Sequence, residues 1–278
     1  MSLTAVHGLL SDNPSGRLNV EIGSGHALYL DPMPYRIRAI FEGETVVDAQ
    51  RPYLLHESGS LPVYYFDRDE VRTDLLESAE RGNDDPDKGA PERWTLRVGD
   101  RFVPGAAWTH VGPPEDARFL EGLIGFDWDA MDEWFCEDEQ LYGHPRDPYS
   151  RIDVYRTSRH VRVLLDGVVL ADTRRASALY ETGLPPRYYI PAEDVRTELL
   201  EPSSSRTRCA YKGSASYWSV RVGDELVDDL VWSYRDPDDD AKQVRDLLCF
   251  FNERVDLEID GELAERPQTQ WSRERVNS

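Results

Sequence analysis

Two lysines carry the first chemical signal in this sequence. The chain has 32 basic residues, yet its lysines are only Lys88, Lys212 and Lys242. Two of them stand at matched places. "DPDKGAPERWTLRVGD" from Asp85 and "CAYKGSASYWSVRVGD" from Cys209 share Lys-Gly, Trp and Arg-Val-Gly-Asp at one spacing. A lysine amine can lose its proton when buried, can act as base or nucleophile, and fits as a compact charge where a planar guanidinium does not. Each stretch is accompanied by a carboxylate in a turn-rich segment (Glu57, Glu181), a Tyr-Tyr pair and two tryptophans. A lysine and a glutamate between aromatic walls make a small polarised pocket for a polar or anionic ligand. The candidate ligand-binding set is Glu181, Tyr188, Lys212, Trp218 and Trp232, with a weaker copy at Glu57, Tyr64, Lys88, Trp94 and Trp108. The competing structural reading is that Lys-Gly closes a turn, with the amine paired to Glu57 or Glu181 and the tryptophans in the core.

The matched places belong to a longer repeat. A shift of 124 residues aligns the chain with itself without gaps over roughly 100 residues. Gly43 meets Gly167, Arg51 meets Arg175, and "HESGSLPVYYFDRDEVRTDLLE" meets "YETGLPPRYYIPAEDVRTELLE". The chain is two homologous domains in tandem. The expected divisions are an N-terminal arm (1–33), a first repeat domain (34–142), a Pro-rich ordered linker (143–157), a second repeat domain (158–264) and a C-terminal tail (265–278), with the chain expected to fray after Glu262. The linker is expected to pack along both domains. Arg51 and Arg175 are expected as structural ion-pair partners.

The copies also differ. Cys209 has Asp85 as its counterpart, Tyr217 has Arg93, Tyr180 has His56, and Tyr234 has His110. A nucleophilic Cys209 would serve the second domain alone, and a buried structural thiol is the expected role. If one domain is active, the second is favoured.

The elements that must position these residues are mostly strands. "RHVRVLLDGVVLAD" reads as a hairpin turning at Asp166-Gly167, and "YWSVRVGDELVDDLVW" as another around Gly223-Asp224. In the second, Trp218, Val220 and Val222 share a face opposite Tyr217, Ser219 and Arg221. The hairpin could bring Trp218 and Trp232 near each other. "WDAMDEWFCEDE" is ambiguous alone, but its partner "NERVDLEIDGE" alternates as a strand does. "PAEDVRTELL" and "DAKQVRDLLCFF" each suggest one short helix. The expected fold is mainly β with one or two short helices per domain, and a parallel α/β sheet is excluded because strands and helices do not alternate.

Composition narrows the function classes. A net charge of −21 repels phosphate backbones, so no nucleic-acid partner is expected. No apolar run approaches the length that spans a bilayer, and the start lacks a signal-peptide pattern, so no membrane partner is expected and the cytoplasm is the default location. Cys136, Cys209 and Cys249 are too scattered for a zinc site or a disulfide framework. "GSGHAL" at Gly23 lacks the strand-to-helix context of a dinucleotide site, and "DPDDD" from Asp236 reads as a solvated loop rather than a cation site. Neither a cofactor nor a metal is expected, and oligomeric state is not encoded in any pattern.

At "RHVRVLLDGVVLADTRR", "LYETGLPPRYYIPAEDVRTELLEPSSSRTRCAYKGSASYW" and "GHPRDPYSRIDVYRTSRHVRV" the chain closely resembles bacterial members of family 427 of the domains of unknown function. The first copy resembles the same family more weakly, and the tandem, Arg-rich form is similar to actinobacterial examples. The resemblance implies a β-tent of two antiparallel sheets. That shape is similar to methionine sulfoxide reductase B and the thalidomide-binding domain of cereblon, which often hold a ligand between aromatic residues. The chain lacks their four zinc cysteines, so the resemblance implies a zinc-free variant. The family has also carried a nucleotidyltransferase-like label; such enzymes generally need a Gly-Ser signature and paired aspartates for metal, and no residues here explain the label. Three function classes follow: a module binding a small molecule, possibly an enzyme; a non-catalytic interaction scaffold; and a nucleotidyltransferase-like enzyme.

Overall fold

The computed structural model describes residues 26–77 and 80–272. The Gly-rich piece at Gly23 therefore falls outside the described residues, apart from its last three. The chain divides into two compact units, Met1–Ser150 and Arg151–Ser278.

In the first unit the strands are β1 (Leu28–Pro32), β2 (Ile37–Phe41), β3 (Glu44–Ala49), β4 (Tyr53–Glu57), β5 (Val63–Phe66), β6 (Leu76–Glu77), β7 (Ala90–Val98), β8 (Arg101–Val111), β9 (Ile124–Phe126), β10 (Glu133–Cys136) and β11 (Glu139–Leu141). They form a seven-stranded sheet, ordered β1-β4-β5-β9-β8-β7-β6, and a four-stranded sheet, ordered β11-β10-β2-β3. The second unit has β12 (Ile152–Arg156), β13 (Val161–Leu165), β14 (Val168–Thr173), β15 (Ser177–Glu181), β16 (Arg187–Ile190), β17 (Leu200–Cys209), β18 (Gly213–Val222), β19 (Glu225–Pro237), β20 (Leu248–Phe250), β21 (Asp256–Ile259) and β22 (Glu262–Leu263). Its sheets run β12-β15-β16-β20-β19-β18-β17 and β14-β13-β21-β22. Each strand of the first unit thus has its counterpart eleven places later. All the strand pairings are antiparallel.

The sequence dictates these strands through period-two burial. Ile37, Ala39 and Phe41 of β2 are buried, as are Val161, Val163 and Leu165 of β13, with half-buried residues between them. Glu42-Gly43 and Asp166-Gly167 turn the equivalent hairpins with positive φ at both residues (51° and 75°; 49° and 80°), the conformation that two-residue hairpins favour. The spacing between the copies shortens by one residue at the last hairpin. There Glu137 (φ 50°) and Asp260 (φ 54°) hold the same left-handed turn position.

The main core of each unit lies between its two sheets. In the first unit it includes Ile37, Phe41, Leu54, Tyr64, Phe66 and Leu96; in the second, Val161, Leu170, Tyr188, Val220 and Phe250. Each fully buried aliphatic or aromatic side chain contributes about 1.5–3 kcal/mol. A smaller core covers the outer face of each seven-stranded sheet, under the 3-10 segments Glu115–Leu120 and Asp239–Val244.

Among the described residues the helical segments are all short 3-10 turns. "PAEDVRTELL" forms two single turns, Ala192–Asp194 and Thr197–Leu199, rather than one helix. Between them Val195 is extended (φ −114°, ψ 140°) and bridges to Ala171, so its side chain joins the core instead of continuing a helix. The expected frayed end is tied down as far as Ser272: β22 pairs with β21, and the Thr269 hydroxyl donates to Glu253 at 2.6 Å. Arg175 chelates Asp194 at 2.8 and 2.9 Å, the ion pair expected of it. In the Asp-rich loop, Asp236, Asp238 and Asp239 pair with Arg245, Arg208 and Lys242. No helix among the described residues is long and apolar enough to cross a membrane.

Candidate functional site

Glu181 is the last residue of β15, and Lys212 lies in the turn between β17 and β18, which closes where Cys209 pairs with Gly213. The turn explains the Lys-Gly dipeptide. Gly213 has φ +96°, and a Cβ there would stand 3.1 Å from the Asp236 carbonyl oxygen and 3.2 Å from the Asp238 nitrogen. The Lys212 carbonyl in turn accepts the Asp238 N–H at 3.2 Å. Gly89 follows Lys88 with φ +78°, and its missing Cβ would meet Gly112 and Pro113 at 3.0 Å.

This crossing delivers the lysine to the glutamate. Lys212 Nζ donates to Glu181 Oε2 at 2.5 Å, and the two side chains are only 10% and 7% exposed. Burial pushes the ammonium pKa down, but Glu181 and Cys209 beside it push harder the other way, so the net direction is up. In the first unit Lys88 donates to Glu57 and lies 3.3 Å from Asp85 Oδ2, while His26 Nε2 sits 2.7 Å from Glu57 Oε1.

The neighbouring wall is aromatic and lies on the outer face of the seven-stranded sheet. Trp232 Nε1 donates to the Tyr189 hydroxyl at 3.1 Å, with their rings edge-on at 6.1 Å. Tyr234 stands 6.5 Å from Tyr189. Burial raises the pKa of both tyrosines, and Glu181 adds to the rise. Cys249, buried in the same cluster, feels the Lys212 charge. In the first unit Trp108 donates to Tyr65 at 2.8 Å, and Tyr65 bonds His110 at 2.9 Å.

The ten sequence candidates therefore divide between the two faces of their sheets. Glu181, Lys212 and Trp232 lie on the outer face, as do Glu57, Lys88 and Trp108. Tyr188 and Trp218, like Tyr64 and Trp94, pack on the core between the sheets. The two tryptophans of each hairpin do not meet, since Trp218 pairs with Val231 while Trp232 pairs with Tyr217, which points each ring to a different side. The site's other members are Tyr189 and Tyr234, Tyr65 and His110, and Cys209 and Asp85. The Arg-x-Tyr step from Arg187 to Tyr189 was the available signal, because alternate strand residues share a face. Cys209 is half-buried beside the lysine instead of being a fully buried structural thiol.

A second ion pair shares the outer face of the second unit. Arg187 chelates Glu253 with two 2.7 Å bonds, and both are buried. The rings of Trp232, Phe251 and Trp271 surround its guanidinium at 5.5, 5.9 and 5.6 Å. Among the described residues no group of three or more His, Cys, Asp and Glu side chains converges as a metal site requires.

A family model described as a domain of unknown function, DUF427, matches the chain twice, over residues 29–137 and 153–261. The chain belongs to the DUF427 family. No curated protein matches it. Each DUF427 copy contains one complete lysine–glutamate pair, and the pairs differ in their charged surroundings. Lys88 faces two carboxylates, Glu57 and Asp85; Lys212 faces one carboxylate and a thiol.

Proposed function

We propose that this DUF427 protein binds a small polar or anionic ligand, and that its main recognition site is the Lys212–Glu181 pair with the ring wall of Tyr189, Trp232 and Tyr234. The supporting observation is the lysine–glutamate pair itself, held by the same turn in both copies while the residues around it diverge. A buried ion pair costs desolvation that apolar residues of similar volume avoid, so its presence twice favours a use beyond packing. The second copy suits a neutral or anionic ligand better. Replacing Asp85 by Cys209 removes one negative charge beside the lysine. Lysine gives such a site a compact donor, and glutamate orients it.

A non-catalytic scaffold is the second reading, favoured by one observation: Lys212 and Glu181 pair with each other at 2.5 Å while withdrawn from solvent, as a structural clasp would. The experiment that separates the two is mass spectrometry of small molecules that co-purify with the native chain and with Lys212→Met. Ligand binding predicts a compound present with the native protein and depleted in the folded variant. A scaffold predicts no such compound.

A further inference from the structure

The opposite face of the same seven-stranded sheet carries a separate cleft of about 280 Å³. Its apolar wall includes Trp218, Leu200 and Leu248, and Thr197, Ser233, Arg235 and Asp246 supply its polar lining. Strand register explains why these groups converge. Ser233 and Arg235 alternate along β19 and share a face, the one opposite Trp232 and Tyr234. The Asp246 N–H donates to the Tyr234 carbonyl at 2.9 Å, which sets Asp246 beside the strand that bears Arg235.

Two features distinguish this cleft from a crevice left by packing. The first is its charges. Nearby arginines are paired, Arg245 with Asp236 at 3.1 Å and Arg208 with Asp238 at 3.2 Å. Among the described residues Arg235 and Asp246, both exposed at the mouth of the cleft, form no ion pair with each other or with a third group, unlike their neighbours Arg245 and Asp236. The second is the comparison with the first unit, where Val111 and Gly122 stand at the places of Arg235 and Asp246. Gly122 has φ +82°, and Asp246 keeps the same left-handed region at φ +60°. A side chain there is strained relative to glycine, so the second copy holds a carboxylate at this point against a local conformational cost.

We propose that the cleft of the second unit binds one small zwitterion with an α-amino-acid head, its carboxylate on Arg235, its ammonium on Asp246 and its apolar body on Trp218, Leu200 and Leu248. An unpaired cation and anion in one cleft complement that head group. The volume is at the small end of ligand sites and matches a single amino acid. The site is independent of the lysine pair because Arg235 and Lys212 lie on opposite faces of the sheet, so the two readings fail separately.

The test uses the full chain. The twenty standard L-amino acids are screened by saturation-transfer NMR, and hits are titrated by calorimetry against Arg235→Val and Asp246→Gly. Both variants install the residue that the first unit folds with at that place. The expected result is one site per chain for an amino acid with an apolar side chain, weakened about tenfold or more by each variant. The analogues of the hit that lack either the amine or the carboxylate weaken to a similar degree. Absence of any amino-acid hit at millimolar concentration overturns the proposal. So does a hit whose affinity is unchanged in both variants, or an amine-free analogue that binds as well as the zwitterion.

Discussion

Lys212 Nζ lies 2.5 Å from Glu181 Oε2, with both side chains almost wholly withdrawn from solvent. This contact accounts for a lysine in a chain that otherwise uses arginine. The turn that carries Lys212 is packed against Asp236 and Asp238 through Gly213, and the pair is withdrawn from solvent, a setting that suits a compact ammonium better than a planar fork of five donors. Lys212→Arg is therefore expected to destabilise the second unit by about 1–3 kcal/mol through overpacking. Urea unfolding followed by hydrogen exchange of β15 and β18 checks it, and an unchanged midpoint would contradict the close fit.

The glycine after the lysine makes a sharper backbone prediction. Gly213→Ala places a Cβ at φ +96° and about 3 Å from backbone atoms of Asp236 and Asp238. A loss of about 2 kcal/mol or more is expected, since neither the φ angle nor the neighbouring backbone can relax cheaply. Gly223→Ala has open space around its Cβ and φ +60°, so its loss is expected to be the smaller of the two. Thermal unfolding of both variants orders them.

The buried Arg187–Glu253 pair predicts an asymmetry between breaking a pair and deleting it. Glu253→Gln leaves the guanidinium uncompensated among Trp232, Phe251 and Trp271 and is expected to cost about 3–5 kcal/mol. Arg187→Met combined with Glu253→Gln is expected to recover a substantial part of that loss. Denaturant midpoints of the single and double variants give the coupling directly. Equal losses in both would show that the charge is solvated.

Mild acid is expected to act on one unit first. His56 is fully buried between Tyr29 at 5.7 Å and Tyr149 at 5.4 Å, with Asp147 Oδ2 3.7 Å away and Asp31 beyond. Burial lowers its pKa below 6.5 despite both carboxylates. Burial and Lys88 likewise lower that of His110, against the pull of Asp85 and Glu57. A histidine with a depressed folded pKa leaves the unfolded chain to take up protons first. Its stabilisation is complete above the unfolded value near 6.5 and falls away as the pH drops toward the folded value. The second unit has Tyr180 and Tyr234 at these places. Asp48 and Asp194, held low by Arg36 and Arg175, keep their contributions until the pH nears their own range. Hydrogen exchange at about pH 7.5 and about pH 5.5 should show β4 and β8 losing protection while β15 and β19 keep theirs. Equal losses in the two units would contradict this assignment.

Much of this architecture was legible because the chain supplies its own comparison. The alternation of Val255, Leu257 and Ile259 in one copy assigned a strand to its ambiguous partner in the other, and Asp166-Gly167 located a hairpin by its turn chemistry alone. The parity of the paired tyrosines was not legible. Tyr64-Tyr65 sits on a strand with no polar residue to mark the outer face, and in the second copy only Arg187, itself buried, marked the face of Tyr189. Trp218 and Trp232 were hidden in the same way, since adjacent strands can turn neighbouring rings to opposite faces. The unpaired charges of Arg235 and Asp246 were illegible for another reason: most charged residues of this acidic chain have partners, and only geometry distinguishes those without.

The lysine–glutamate pair of the second copy is the proposed ligand site. The most direct measurement compares small molecules released from the native chain, Lys212→Met and Lys88→Met after purification under nondenaturing conditions, with folding of each variant verified by hydrogen exchange. The account predicts a polar or anionic compound released by the native chain and by Lys88→Met, and depleted about tenfold or more in Lys212→Met. The same release from all three folded proteins, or none from the native chain, would contradict it.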